Sequence, residues 1–187
     1  MDDPTPIPTP GGLRVREMTL DDCPRVAEIR VRGWQVAYKG LIPQSYLDGL
    51  SVAEDAARRR HYLVQGDGSV VNLVAERGGS VVGWACHGPH RDSEARAGEV
   101  ELYAIYVHPD VLGQGVGQAL LRESADRCAA AGHERMLLWV LKENTAARRF
   151  YERAGFGPDG AEEPFEAAGV AVPEVRYARV LTGAGRD

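Results

Sequence analysis

The stretch YAIYVHPDVLGQGVGQALL, Tyr103 to Leu121, constrains the fold more than any other part of the chain. Up to Val107 apolar residues crowd together as in a strand, and from Val116 they recur every three or four positions as in a helix. Gly113, Gly115 and Gly117 occupy alternate positions between the two patterns. A strand that turns on glycines directly into a helix belongs to an α/β domain, and the turn exposes the helix's unpaired amides and positive dipole end. Without a Cβ, the glycines let the backbone approach a ligand closely. Amides of residues 113 to 118 can therefore ring an anion such as a pyrophosphate. A P-loop would need Gly-Lys-Ser/Thr, which is missing. A dinucleotide fold would carry G-x-G-x-x-G early, whereas this loop reads G-Q-G-V-G-Q past the midpoint.

The remaining chain supplies one domain around this turn. Residues 13–18 alternate as a strand, and Thr19 with Asp22 forms a near capping box. Val26, Ile29, Gly33, Trp34, Ala37 and Tyr38 then follow at helical spacing. Pro43 opens a short second helix and Ser51 caps a third. Residues 70–76 and 80–88 read as a hairpin, followed by a strand over 99–108 and the glycine turn. The next helix runs to Ala131 and is ended by Gly132. Residues 135–141 (RMLLWVL) suit a strand covered on both faces, and Asn144 caps a last helix that Gly155 ends. Two short strands are expected around Phe156 and over 175–181. Residues 1–12 and 183–187 read as tails, the first of them disordered, leaving a domain over 13–182.

Composition removes several function classes. A net charge of -5 argues against nucleic acid and anionic membranes as partners. No apolar run approaches membrane length. The start of the chain lacks the basic and then apolar pattern of a leader. Cys23, Cys86 and Cys128 are far apart, so a reducing cytoplasm with buried thiols is expected. The five histidines lack metal-site spacing, and no metal is expected.

Two blocks, ELYAIYVHPDVLGQGVGQALL and LKENTAARRFYERAGF, resemble the GNAT superfamily of N-acetyltransferases in this order and spacing. GWQVAYKGLIPQSYLDGL resembles the front of many bacterial members, and the likeness spans roughly 13–181. The resemblance implies a mixed, mostly antiparallel sheet flanked by helices. It also implies a V-shaped cofactor cleft between the strands at 99–108 and 135–141. The implied co-substrate is acetyl-CoA, held by Ile105, Tyr106, Val107, Leu112, Gly113, Gln114, Gly115, Val116, Gly117, Gln118, Asn144 and Tyr151. One departure stands out: Leu112 occupies the position where the family's loop usually has Arg or Gln. The implied reaction moves the acetyl group to a primary amine of a small molecule by direct attack in a ternary complex. Protein lysine or N-terminal acetylation, and a non-catalytic acyl-CoA-binding module, remain alternatives. Dimers are common in such families, which makes a homodimer one implied partner.

Deprotonating an ammonium needs a base. Strand period puts Glu99 and Glu101 on one face with Tyr103, Ile105 and Val107, beside the cofactor's path. Glu101 is the preferred base, with Glu99 its alternative; a solvated strand face is the competing reading. With the family match, Tyr151 is the candidate acid for the departing thiolate, against a simple core role. Asn144 caps its helix and could also offer its amide to the pantetheine arm. A bulge near residues 103–105 would free a strand amide to polarise the carbonyl. Trp34, Tyr38, Tyr46 and Glu101 mark the acceptor entrance, although Trp34 and Tyr38 at i and i+4 also read as a core stripe. Arg148, Arg149 and Arg153 would meet a coenzyme A phosphate or form a solvated face.

Overall fold

The computed structural model describes residues 12–92 and 96–181. The expected tails lie outside this range, apart from residue 12. After β1 (Leu13–Glu17) the chain forms α1 (Cys23–Ala37), α2 (Gln44–Asp48) and α3 (Val52–Gln65). The Asp22 carboxylate, ahead of α1, accepts from the Thr19 N–H at 2.8 Å and from Arg16 Nη1 at 2.7 Å. Ser51 Oγ caps α3 by accepting from the Glu54 N–H. Then come β2 (Val71–Arg77), β3 (Ser80–Pro89) and β4 (Glu99–Val107), followed by α4 (Val116–Ala130) and β5 (Arg135–Leu141). α5 (Thr145–Arg153) and the hairpin β6 (Gly157–Ala167) and β7 (Val170–Val180) complete the chain.

Seven strands form one open mixed sheet in the order β1-β2-β3-β4-β5-β7-β6. Only β4 and β5 run parallel. A parallel pair cannot close through a tight turn, so the chain crosses over through α4. The pair is short: Glu99, Val100 and Glu101 meet Arg135, Met136 and Leu137, and beyond them the strands part. That parting is the V of the expected cleft.

Helices cover both faces. Leu121, Ala125 and Cys128 of α4 pack with Met136, Leu138 and Tyr177 on one side. Val26 and Ile29 of α1 pack with Val74 and Trp84 on the other. Gly83 on β3 permits the close seat of α4, because a Cβ there would lie 2.8 Å from Val116 Cγ1 and 2.9 Å from Leu120 Cδ1. Asp55, 3 % exposed, ties α3 to α1 by accepting from Arg59 at 2.6 Å and Arg30 at 3.0 Å.

Two expectations are corrected. The last two strands are 11 residues each rather than short. Their Pro, Gly and acidic content weakens the strand signal, and the pairing with β5 carries them nonetheless. The single face expected for Glu99, Glu101, Tyr103, Ile105 and Val107 also breaks. Cys86 pairs with Ala104 but His87 pairs with Leu102, so Tyr103 is an extra residue in β4. After this bulge Ile105 and Val107 pack with Val116 and Leu120 of α4, while Tyr103, Ala104 and Tyr106 pack on the α1 side.

Candidate active site

Where β4 and β5 part, a cleft of about 790 Å³ opens between β4, Trp139 and Val140 of β5, α5 and the N-terminus of α4. Ile105, Tyr106, Val107, Leu112, Gly113, Gly115, Val116, Gly117, Gln118, Asn144 and Tyr151 all line it. Gln114 does not: its Oε1 accepts from Arg77 Nη1 at 2.6 Å. Gly115 is the N-cap of α4 at φ 81°, a left-handed conformation that disfavours side chains. A Cβ at Gly113 or Gly115 would meet nothing within 4 Å, so open space adjoins the loop. The unpaired amides of the first turn of α4 border this space, and the β4 edge beyond Glu101 is left without a β5 partner. An elongated ligand with a pyrophosphate, such as acetyl-CoA, fits that combination of open glycine cradle and free strand edge. Leu112 is 56 % exposed at the rim, where it offers its backbone but no charge. Asn144 Oδ1 caps α5 by accepting from the Ala147 N–H at 3.1 Å, so its amide hydrogens are what it can offer a ligand.

A second cavity, about 710 Å³, lies on the α1 and α2 side of the sheet. Trp34, Tyr38, Tyr46 and Glu101 line it, together with Trp139, Phe165, Glu163 and Glu174. Trp34 organises the wall, with ring centroids at 4.9 Å to Tyr38, 5.9 Å to Tyr46 and 5.8 Å to Phe165. The two cavities share Tyr38, Leu102, Tyr103, Tyr106 and Trp139. They meet at a neck, where the hydroxyls of Tyr38 and Tyr106 are hydrogen-bonded.

The two strand glutamates have different surroundings. Glu101 is 2 % exposed and faces the second cavity, and its carboxylate accepts from the Arg91 backbone N–H and from the Arg91 guanidinium. Glu99 lines neither cavity; it pairs with Arg135 Nη1 at 3.0 Å and His90 Nδ1 at 3.1 Å. Burial acts to raise the Glu99 carboxyl, but the Arg96 backbone N–H, then Arg135 and His90, hold it below its ordinary value. Tyr151 lines the cleft with its ring near Phe150 and Phe156, and burial raises its phenol, which stays protonated at neutral pH. Arg153 lines the cleft, while Arg148 turns away to the Tyr177 hydroxyl at 2.9 Å. Cys86 and Cys128 are buried thiols, pushed up to about 12 and about 11 by burial, so neither is a nucleophile at neutral pH.

The model of the Acetyltransferase (GNAT) family matches residues 34–156. The chain belongs to the GNAT acetyltransferase family. It is 35 % identical to the uncharacterized N-acetyltransferase YuaI of Bacillus subtilis strain 168, over 87 % of this chain and 90 % of that one. In fold it is similar to the PaiA N-acetyltransferase of Thermoplasma acidophilum, solved with coenzyme A. That likeness has a TM-score of 0.71 at 18 % identity, over 90 % of this chain and 99 % of the other. It is also similar to yncA of Salmonella typhimurium, solved with acetyl-CoA, with a TM-score of 0.68 at 23 % identity over 94 % and 98 % of the two chains.

Several wall residues of this GNAT chain carry no distinguishing signal in the sequence. Trp139 sat in an apolar run whose two faces could not be told apart, yet it lines both cavities. Phe150 was hidden beside Tyr151 in α5. Glu163, Phe165 and Glu174 belong to the long β6–β7 hairpin. Period-two spacing puts Glu163 and Phe165 on one face of β6, opposite Glu174 and Val172 of β7.

Proposed function

We propose that the protein is an acetyl-CoA-dependent N-acetyltransferase acting on a primary amine of a small molecule, by direct attack in a ternary complex. The observation that carries this reading is the junction of two ligand-sized cavities at one neck. One is open to a phosphate-bearing chain beside the α4 N-terminus, and the other is walled by aromatics and carboxylates. Aromatic faces and carboxylates together favour a cation, and an amine acceptor is cationic before it reacts.

Acetyl-CoA supplies an acetyl group already activated as a thioester. In this reading the amides of residues 113 to 118 hold its pyrophosphate, and Asn144 offers its side-chain amide to the pantetheine arm. The bulge at Tyr103 interrupts the β4 ladder beside the neck, where a freed backbone amide can polarise a carbonyl. In this reading Tyr151, protonated in the same cleft, returns a proton to the departing thiolate. Glu101, engaged by Arg91, keeps that guanidinium at the cavity wall and adds negative potential.

The test incubates the purified protein with acetyl-CoA, a library of small amines and cell-extract proteins, and reads acetylation by mass spectrometry. One acetylated small amine is the expected result. Acetylated lysines or protein N-termini without small-molecule product would overturn the acceptor class, and no transfer at all would overturn the reading.

A further inference from the structure

The β6–β7 hairpin brings two more carboxylates to the acceptor cavity. Glu174 on β7 stands directly opposite Glu163 on β6 and, on its other side, opposite Leu141 of β5. Like charges opposite each other on neighbouring strands repel. The other charged groups of this cavity are matched: Arg91 by Glu101, Arg30 by Asp55 and Asp92 by Arg176. Among the described residues no ion pair or hydrogen bond engages the carboxylate of Glu174 or Glu163. Trp34, Tyr46, Trp139 and Phe165 line the same cavity. The charge of Glu174 reaches the hydroxyls of Tyr38 and Tyr106, which bridge the neck. Glu174 is half-buried and Glu163 exposed, and an unmatched pair of carboxylates beside aromatic walls, within electrostatic reach of the neck, suits a cation.

We propose that Glu174 is the carboxylate that receives the acceptor's ammonium group and removes its proton. The acceptor is then a primary amine, its cation held between Glu174, Glu163 and the aromatic wall. This rests on the acetyl-transfer reading above. In the step an ammonium N–H bond breaks, its electron pair stays on nitrogen, and the proton forms an O–H bond on Glu174. The neutral amine then has the lone pair that attack on a carbonyl requires.

The surroundings of Glu174 suit this work. Burial, and then Glu163 across the ladder, raise its carboxyl to about 7, with Glu101 adding and Arg91 opposing. Arg30 from α1 and Asp92 from the connection after β3 also face the cavity, and Arg176 lies two residues along β7. A base poised near neutrality is partly ionised and still able to accept a proton.

The experiment has two arms. In the first, carbon-13 NMR follows the glutamate carboxyls with pH, and the Glu174 resonance is identified by its loss in Glu174→Gln. A midpoint near 7 that moves lower in Glu163→Gln is expected; titration in the ordinary carboxylate range would overturn the proposal. In the second, an amine that the wild type acetylates in the library assay is used with Glu174→Gln. A fall in kcat/KM of about a hundredfold at pH 7, loss of the acidic limb of the pH profile and unchanged acetyl-CoA affinity are expected. An unchanged rate and limb would overturn it. A library without product counts against the transfer reading, and the NMR arm then decides Glu174 alone.

Discussion

The hydroxyls of Tyr38 and Tyr106 lie 3.0 Å apart, joining the end of α1 to β4 at the neck between the two cavities. Tyr38 is raised well above the ordinary phenol range, chiefly by burial, with Tyr106 adding to the shift. Both rings therefore stay neutral, and their bond fixes the width of the neck. Tyr38→Phe removes one partner and leaves the half-buried Tyr106 hydroxyl without it. The expected cost is about 1–2 kcal/mol, read by urea denaturation.

Gly115 holds φ 81° at the N-cap of α4. Gly115→Val imposes a β-branched side chain on a left-handed position, at a cost of about 1–2 kcal/mol. It also places a side chain in the open space beside the loop. Calorimetry is expected to show acetyl-CoA binding abolished, with the far-ultraviolet circular dichroism of the fold retained.

Asp55→Ala is expected to be the most damaging single change outside the cleft. It leaves Arg59, packed over the Trp84 ring at 3.9 Å, without its buried anion, and Arg30 without its partner. Breaking a buried pair from one side costs about 3–5 kcal/mol. Chemical denaturation measures it, and loosening of Arg30 over Trp34 is expected to raise KM for the amine as well.

The pH dependence of stability carries opposite signs at two carboxyls. Glu174 is raised to about 7 from an unfolded value near 4.5. Between those values the native state binds more protons, so its contribution to stability declines as pH rises through that window. Glu174→Gln should therefore raise Tm relative to wild type at pH 8 and change it little at pH 4. Asp22 is held low, first by Arg16, so its contribution is present above the unfolded value and lost as pH falls. Asp22→Asn should lower Tm at pH 7 and converge with wild type in acid.

Tyr151→Phe tests the proton donor. A loss of about a hundredfold in kcat, with acetyl-CoA affinity little changed, is the expected outcome of steady-state kinetics across the pH range.

Much of this was legible in the sequence because it is local. The glycine turn, the Asn144 cap, the Ser51 cap and the hairpin of β2 and β3 each depend on a few neighbouring residues, and each is found in place. What escaped depends on pairing between distant strands. The extra residue at Tyr103 exists because Cys86 and His87 of β3 fix the register of β4, and strict alternation across β4 could not show it. Glu99 and Glu101 look equivalent in sequence, yet Arg135 and His90 claim one while Arg91 claims the other. Glu174 lines the cavity because β7 pairs with β5, a contact between segments far apart in the sequence.

The order of the sheet divides the molecule's tasks. On the proposed reading, α4 and α5 line the donor cleft alone, α2 and the terminal hairpin line the acceptor cavity alone, and β4, β5 and α1 contribute to both. Substitutions along one set of segments can redesign the choice of amine without rewriting the segments that handle the activated donor. A scaffold partitioned in this way is suited to diversify its acceptors stepwise, keeping one donor site through the series.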